Sequence, residues 1–287
     1  MISIIILVKN DKRIENTLKK LFKIPKPEKT EILVIDASEG NLDDIKNIFP
    51  SVRWIYYHNK KNKEITLPEQ RNLGLKKAEG DIIAFIDADC VPDNNWLIEL
   101  AKSINNEEKI IVASSIKSIG KKTTWDVEEE RKYLDEASGL GMAFKKEIIK
   151  KVGFFDEKFY YGEDTDFTWR ATDLGYKIRY NKNAIIYHDW GNLQQDIKRS
   201  LWYGKARVRL YKKHPHRWKN LFGYNATVLI YPLYIIFLPL TFFWPYYPLF
   251  ILIPILKNIK RKPLKITFLN LIYGFAVLKE LFFPNKN

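Results

Sequence analysis

Two aspartates separated by one residue follow a long apolar segment in the first half of the chain. The segment and the acids read Gly80-Asp81-Ile82-Ile83-Ala84-Phe85-Ile86-Asp87-Ala88-Asp89. Such a run is typical of a strand buried on both faces of a parallel sheet, and ligands collect at the carboxyl ends of these strands. Carboxylate oxygens that leave coordination positions open suit Mg²⁺ or Mn²⁺ shared with a phosphate group. We therefore predict that Asp87 and Asp89 bind Mn²⁺ or Mg²⁺ together with a nucleoside diphosphate, although acids after a strand also serve as helix caps.

Three further acids lie within four positions, in the segment Gly162-Glu163-Asp164-Thr165-Asp166-Phe167-Thr168-Trp169-Arg170. The segment resembles a helix start, where acids complement the helix dipole and accept hydrogen bonds from free backbone amides. A carboxylate there can instead act as a general base that takes the proton of an attacking hydroxyl. The residues alone leave both interpretations open.

His188 ends another apolar segment, Ala184-Ile185-Ile186-Tyr187-His188-Asp189-Trp190. A neutral imidazole suits Mn²⁺, and Asp189 or a backbone carbonyl would fix its tautomer. A single histidine at a strand end is, on its chemistry alone, more often a structural residue. Its assignment as a metal ligand therefore depends on its surroundings.

Hydrophobic periodicity indicates the elements that must position these residues. The predicted elements are strands from Ile2 to Val8 and from Glu31 to Ile35, and helices from Pro68 to about Ala78 and from Asp93 to Ser103. The second strand ends at Asp36, at about the spacing of a βαβ unit. The helix that begins near Pro68 carries Arg71. The pattern favours an α/β fold with acids at the carboxyl ends of its strands.

The segment Gln70-Arg71-Asn72-Leu73-Gly74-Leu75-Lys76-Lys77-Ala78-Glu79-Gly80-Asp81, followed by Asp87 and Asp89, resembles the family 2 glycosyltransferases. The family's pattern is Arg-Asn, then Gly, Ala and Gly-Asp before an Asp-x-Asp, in this order. The acids from Glu163 to Asp166 resemble its acceptor-side Glu-Asp motif, so the signature extends from Ile2 to about His188. The resemblance implies a metal-assisted, inverting transferase that uses a nucleotide-diphospho-sugar. It also implies a GT-A fold, which is a Rossmann-like mixed α/β sheet flanked by helices.

The resemblance also implies which residues bind the donor. They are Val8, Lys9, Asn10 and Asp36 for the nucleoside, Arg71 for the diphosphate or the base, and Asp87, Ala88 and Asp89 beside the metal. The implied metal ligands are Asp89, His188 and Asp87. Two segments depart from the family pattern: Leu7-Val8-Lys9-Asn10 replaces the frequent Pro-Thr-Tyr-Asn, and Asp36-Ala37-Ser38-Glu39 replaces Asp-Asp-Gly-Ser. The identity of the base therefore stays open.

On the acceptor side, the resemblance gives Asp164 the role of general base, with Glu163 and Asp166 orienting the site. Gly141 and Met142 belong to a small-residue segment that approaches the sugar in the family, and Trp169 is assigned to the acceptor region. One base suffices for inversion, because no covalent glycosyl intermediate forms. An acceptor that is already a phosphate would need no base. The motif therefore favours a hydroxyl on a lipid-linked or cell-surface glycan.

Charge and hydrophobicity divide the chain of 287 residues, which is long enough for one α/β domain and an appended module. We predict a catalytic domain over 1–190, a basic amphipathic helical region over 191–222 and hydrophobic, membrane-associated helices over 223–287. The formal net charge is +14, and nine Lys or Arg lie between Lys198 and Lys219. A region this basic indicates an anionic partner.

The uncharged segment from Asn220 to Leu256 indicates that this partner is a membrane and not a nucleic acid. It contains five prolines, which favours a bent or re-entrant segment over a straight spanning helix. A second basic cluster, Lys257 to Lys265, precedes an apolar stretch from Ile266 to Phe283 that is marginally long enough to span. Basic flanks on both sides of the proline-rich segment favour a membrane-associated protein with its catalytic domain on the cytoplasmic side. Helices docked on a soluble domain are the alternative.

Three other functions stay open at this stage. A polyprenyl-phosphate glycosyltransferase would share the donor site, and so would a non-catalytic module that keeps the fold. A sugar nucleotidyltransferase shares the layout, but such enzymes usually have a glycine-rich loop after the first strand, and Lys9-Asn10-Asp11-Lys12-Arg13 has no glycine. Cys90 is the single cysteine, which excludes a disulfide within the chain. The run from Ile2 to Val8 has only the length of a strand, so no signal peptide is expected.

Overall fold

A computed structural model describes residues 1–27, 29–57, 66–105, 109–120, 122–124, 126 and 129–284. The chain forms two compact units, Met1–Asp189 and Trp190–Asn287. The further division of the second part at residue 222 stays a prediction.

The first unit is built on one mixed sheet, which has nine strands among the described residues. The strands are β1 (Ile2–Val8), β2 (Thr30–Asp36), β3 (Arg53–Tyr56), β4 (Ile82–Asp87), β5 (Cys90–Pro92), β6 (Ile110–Ser118), β7 (Tyr133–Leu134), β8 (Met142–Lys145) and β9 (Lys177–His188). Their order is β3-β2-β1-β4-β8-β6-β9-β5, and β7 pairs with β9. The β1, β2, β3 and β4 strands are parallel, whereas β8 runs antiparallel to β4 and β6. The strand predicted from Ile2 to Val8 is present with these bounds.

Helices cover both faces of the sheet. They are α1 (Ile14–Lys23), α2 (Asp43–Ile48), α3 (Leu67–Lys77), α4 (Trp96–Asn105), α5 (Ile149–Val152) and α6 (Glu163–Asp173). Successive residues of a strand point to opposite faces. Accordingly, Ile4 and Ile6 pack in a core with α1, α2 and α4, whereas Ile5 and Leu7 pack in a second core with α3, α5 and α6. Coverage on both faces explains why β1 and β4 are apolar at almost every position.

Local signals set the starts of the helices that carry candidate residues. Thr66 and Glu69 form a capping box before α3, and Pro68 lies in its first turn, as the sequence predicts. Gly162 precedes α6 with a φ of 85°, in the left-handed region that favours glycine. The predicted helix from Asp93 begins three residues later, at Trp96, because the chain first makes a turn in which Trp96 donates to the Asp93 carbonyl.

The second unit is helical. It contains α7 (Leu193–Lys213), α8 (Thr227–Ile236), α9 (Leu252–Lys257) and α10 (Pro263–Phe282), with 3₁₀ turns at Pro215–Phe222, Leu238–Phe242 and Tyr247–Ile251. The α7 and α10 helices pack closely at Gly204, where a Cβ atom would lie 2.5 Å from the Tyr273 carbonyl oxygen. Two buried carboxylates pair with partly exposed cations across the same helices: Asp196 with Lys265 at 2.6 Å, and Glu280 with Arg209 at 2.8 Å. Polar contacts therefore hold these two helices together.

No helix in the described part of the chain is both long and apolar enough to cross a bilayer. This corrects the expectation that the stretch from Ile266 to Phe283 can span. That stretch lies in α10, which carries Lys265, Lys279 and the ion-paired Glu280. The proline-rich segment between α8 and α9 instead forms short turns, and it exposes Phe242 and Phe243 almost completely.

Candidate active site

Pairing between distant strands brings His188 to the aspartate pair. Asp87 ends β4, Asp89 lies just before β5, and β5 runs antiparallel to β9 with Cys90 opposite His188. As a result, His188 Nε2 lies 3.3 Å from Asp89 Oδ2. Ligand atoms of Asp89, Cys90 and His188 all lie within 4.8 Å of one another. Two of the three predicted metal ligands are therefore in direct contact.

The donor atoms at this point fit a hard divalent cation. Asp87 Oδ1 is buried and accepts no hydrogen bond from the residues that the structure describes, although a buried carboxylate oxygen normally has a partner. Burial, followed by repulsion from Asp87 and Asp89, holds the pKa of the Cys90 thiol well above its usual range. A neutral thiol is a poor ligand, which leaves Asp89 and His188 of this group, and Asp87 lies outside it. With Asp87 added through its buried Oδ1, two carboxylates and an imidazole would suit Mn²⁺ or Mg²⁺.

The two aspartates differ in their electrostatic environment. Burial raises the pKa of Asp87, and the nearby charge of Arg71 offsets this only in part. Asp89 is also desolvated, but its contacts with His188 and Arg13 outweigh burial and lower its pKa. Two neighbouring carboxylates with pKa values shifted apart are typical of functional sites.

Two residues that sequence reasoning missed hold this loop. Thr17, on α1, directs its hydroxyl at the carbonyl oxygens of Ala88 and Cys90, at 2.7 Å from each. Arg13 Nη2 lies 3.2 Å from Asp89 Oδ2. Neither residue belongs to a motif, and their contacts depend on how α1 packs, so the sequence carried no direct signal for them.

The acceptor-side acids lie around a buried guanidinium. Arg71 Nε lies 3.3 Å from Glu163 Oε1, and both side chains are 4% exposed. Arg71 also donates to the Gly139 carbonyl, and its guanidinium stacks on the rings of Phe85 and Phe155. A Cβ atom on residue 139 would lie 2.3 Å from Arg71 Nη2, so this close approach requires glycine. The buried guanidinium of Arg71 contacts protein groups. Its contact with the donor remains a prediction.

Asp164 differs from the acids on either side of it. Its carboxylate accepts hydrogen bonds from the backbone amides of Gly139 (2.9 Å) and Thr165 (2.7 Å), and it is partly exposed. Glu163 is buried, and burial followed by repulsion from Asp164 raises its pKa to about 7. Asp166 is fully buried and pairs with Arg170 at 2.9 Å. Of these three acids, Asp164 has the geometry to receive a proton from a bound molecule.

The residues predicted to bind the nucleoside lie at the carboxyl ends of β1 and β2. The amide of Asn10 donates to Ser38 Oγ at 2.7 Å, and the amide of Ala37 donates to the Val8 carbonyl at 2.9 Å. The Lys9 side chain is exposed beside them. These hydrogen bonds connect the loop after β1 with the loop after β2 at the same edge of the sheet.

Asp36, at the same edge, is buried. Its carboxylate accepts hydrogen bonds from the Ser38 amide at 2.7 Å and from Trp54 Nε1 at 2.9 Å. Each oxygen keeps a further lone pair, so its nucleoside contact stays a prediction.

The remaining sugar-region candidates lie deeper than the sequence suggested. Gly141 accepts a hydrogen bond from Ser114 Oγ at 2.7 Å, and a Cβ atom there would lie 2.7 Å from Ile186. The side chains of Met142 and Trp169 are fully buried in the protein. These two side chains present no surface to a bound sugar in this structure, and their assignment to the sugar and acceptor region stays a prediction.

Comparison with known proteins places this chain in a family. The model of glycosyl transferase family 2 matches residues 3–163. A pre-mycofactocin glycosyltransferase of Mycobacterium tuberculosis is 30% identical over 165 residues, which cover 51% of this chain and 35% of that protein. The chain thus spans about a third of the length of that relative.

A second relative matches over more of the chain. The dolichyl N-acetyl-alpha-D-glucosaminyl phosphate 3-beta-D-2,3-diacetamido-2,3-dideoxy-beta-D-glucuronosyltransferase of Methanococcus voltae is 25% identical over 276 residues, which cover 84% of this chain and 80% of that protein.

A solved structure is similar over nearly the whole chain. It is a mannosyltransferase from Pyrobaculum calidifontis in complex with GDP-Man and Mn²⁺, and it covers 99% of this chain and 88% of its own, with a TM-score of 0.74 and 17% identity. The likeness confirms the predicted fold class, a mixed α/β sheet flanked by helices of the GT-A type.

Proposed function

This chain belongs to glycosyl transferase family 2 and is a glycosyltransferase, and we propose that it moves a sugar from a nucleotide-diphospho-sugar to an acceptor hydroxyl with inversion. One observation carries the proposal. The buried guanidinium of Arg71 pairs with Glu163 at 3.3 Å and donates to the carbonyl oxygen of Gly139, whose amide donates to Asp164. Although burial lowers the pKa of Arg71, the charges of Glu163, Asp87 and Asp164 raise it. This arrangement supports one site for the acid proposed to bind the metal and the acid proposed as the base.

Asp87, Asp89 and His188 are the residues that would hold the divalent cation. When bound, the cation would neutralise the charge that develops on the departing nucleoside diphosphate. The pair of carboxylates and the imidazole favour Mn²⁺ or Mg²⁺ over softer ions. The complex of the P. calidifontis mannosyltransferase with Mn²⁺ supports this choice.

Asp164 is the proposed general base. The acceptor oxygen attacks the anomeric carbon, the bond from that carbon to the diphosphate oxygen breaks, and the hydroxyl proton passes to the Asp164 carboxylate. The two backbone amides hold this carboxylate in one orientation. Because attack occurs opposite the leaving group in a single displacement, the configuration at the anomeric carbon inverts.

A lipid-linked glycan is the proposed acceptor. The M. voltae relative is named for a dolichyl-linked sugar phosphate as its substrate. In this chain, the second unit exposes Phe242 and Phe243, and basic clusters flank the apolar segment in sequence. Apolar side chains next to cations are typical of segments that lie in the interface of an anionic membrane. We infer that the second unit lies on the membrane and that the catalytic unit faces the cytoplasm, where nucleotide sugars are made.

The test is the Asp164→Asn variant, with Glu147→Gln, an exposed acid of the same unit, as the control. We would measure nucleoside diphosphate release from UDP- and GDP-sugars with extracted membrane lipids as acceptors, and donor binding in parallel. We expect turnover to fall by about 10²- to 10⁴-fold with donor affinity kept within about twofold. Loss of donor binding as well would overturn the assigned role. Unchanged turnover would indicate an acceptor phosphate, which needs no base.

A further inference from the structure

Arg13 connects three carboxylates at the carboxyl edge of the sheet. Its Nε and Nη2 atoms donate to the two oxygens of Asp11, at 2.9 and 2.7 Å. Nη2 also lies 3.2 Å from Asp89 Oδ2, and Nη1 lies 3.3 Å from Asp189 Oδ2. These acids come from the segments that follow β1, β4 and β9. One guanidinium is therefore the common counter-ion of three separate segments.

The contact of Arg13 with Asp89 is at the carboxylate oxygen that also faces His188. Asp89 Oδ2 lies 3.2 Å from Arg13 and 3.3 Å from His188 Nε2. A divalent cation shared by Asp89 and His188 would come within a few ångströms of the guanidinium. Two cations at this separation repel each other, and the burial of Asp89, which is 17% exposed, limits how far water screens them.

The side chain of Arg13 is open to solvent and to a bound ligand on one side. Its side chain is 45% exposed, and its bidentate contact with Asp11 supplies an anchor close to the backbone. A planar guanidinium fits the oxygens of a diphosphate as well as it fits a carboxylate. A bound diphosphate at this edge would offer Arg13 a replacement for Asp89.

We propose that Arg13 is an internal cation that competes with the metal ion for Asp89, and that the diphosphate of the donor relieves this competition. The inference rests on the proposed function. It makes Arg13 a positioning residue that couples the two ligands: the metal alone binds weakly, whereas metal and diphosphate together bind well. Because coupling is reciprocal, each ligand raises the affinity of the other by the same factor. Removal of Arg13 reduces the effect of the metal on diphosphate affinity and the effect of the diphosphate on metal affinity by the same factor.

The experiment measures Mn²⁺ affinity by electron paramagnetic resonance of the free ion, without nucleotide and with saturating UDP or GDP. The variant is Arg13→Gln, and Lys12→Gln is the matched control, because Lys12 is 75% exposed and approaches only Asp44, at 4.0 Å, among the contacts described. We expect Arg13→Gln to tighten binding of Mn²⁺ alone by at least about threefold and to reduce the coupling factor by a similar amount. Arg13→Lys, which keeps the charge, is expected to retain weak binding of Mn²⁺ alone.

The outcomes separate this inference from the function on which it rests. Weaker binding of Mn²⁺ alone in Arg13→Gln would show that Arg13 only supports the shape of the site, and it would overturn the proposal. An unchanged coupling factor, or an equal change in Lys12→Gln, would overturn it as well. In both cases Asp89→Asn still abolishes Mn²⁺ binding if the metal site is correct. If Asp89→Asn leaves Mn²⁺ binding intact, the metal site and this inference both fail.

Discussion

Glu163 and Arg71 form an ion pair that is closed off from solvent, and the charge state of Glu163 depends on pH. Burial, then repulsion from Asp164, raises the pKa of Glu163 from 4.5 to about 7, although Arg71 opposes this shift. Near neutral pH, a fraction of the molecules therefore carries a protonated Glu163. Protonation of Glu163 removes one negative charge beside the proposed base. The charge next to Asp164 therefore changes with pH.

The stability of the protein should record this shift. Between pH 4.5 and 7 the folded state keeps a proton that the unfolded chain has released, so the free energy of unfolding falls as pH rises through this window. Glu163→Gln cannot titrate. We expect the stability of the wild type relative to this variant to fall by on the order of 3 kcal/mol across the window. Urea unfolding of both proteins at a series of pH values measures this, and a difference that stays level or rises would contradict the assignment.

The individual residues were predictable from sequence to different degrees. Asp87, Asp89 and Asp164 lie in local sequence motifs, which can be recognised as candidate sites before the fold is known. The surroundings of Arg71 were not predictable, because its partner Glu163 and the stacked ring of Phe155 come from distant parts of the chain. The same holds for Arg13, whose three acidic partners meet only in the folded sheet.

At the scale of secondary-structure elements, α1 supports the candidate metal loop through one hydroxyl. Thr17 reaches the carbonyl oxygens of Ala88 and Cys90 and fixes the backbone that carries Asp89. Helix packing, and not only the loop sequence, therefore sets the direction of the carboxylate.

Substitution of Thr17 tests this support. Thr17→Val keeps the shape of the side chain but removes the donor, so two buried carbonyls lose a partner. We expect a loss of about 1–2 kcal/mol in stability and a fall of a few fold in Mn²⁺ affinity. Thr17→Ser retains the hydroxyl and is the control, which should keep the Mn²⁺ affinity. Equal Mn²⁺ affinity in Thr17→Val and wild type would show that α1 does not orient the loop.

Strands and helices of the first unit were largely predictable, because apolar runs and caps are local signals. The predicted strand from Glu31 to Ile35 is one residue longer at each end in β2, and the helix predicted from Pro68 begins at Leu67. Sheet order was not predictable in this way. The antiparallel pairing of β5 with β9, which brings His188 to Asp89, joins segments far apart in sequence.

At the scale of the whole molecule, the second unit combines ion pairs between its helices with exposed aromatic side chains. Its two acids, Asp196 and Glu280, pair with cations inside the unit, and its prolines divide the apolar segment into short turns with exposed aromatic side chains. Composition indicated an apolar region next to cations, but it did not indicate which side chains face outward. This arrangement agrees with a unit that lies on a membrane surface.

Vesicle binding tests that arrangement. Phe242→Ser/Phe243→Ser removes two aromatic rings that are 91% and 88% exposed. We expect flotation with anionic vesicles to weaken by at least about tenfold, since each ring would otherwise bury its apolar area in the interface. The control is Ile48→Ser/Leu174→Ser, which removes two exposed apolar side chains from the first unit. Equal losses in the two double variants would argue against a specific membrane face.

Mn²⁺-dependent binding of a nucleoside diphosphate tests the account as a whole most directly. UDP and GDP are titrated into the wild type, into Asp89→Asn and into Asp44→Asn, an exposed control, with and without Mn²⁺. We predict that Mn²⁺ raises the affinity of the wild type and of Asp44→Asn for one diphosphate by at least about tenfold, and that Asp89→Asn loses this increase. Binding that is independent of Mn²⁺ in the wild type, or that keeps its Mn²⁺ dependence in Asp89→Asn, would contradict the metal-assisted transferase.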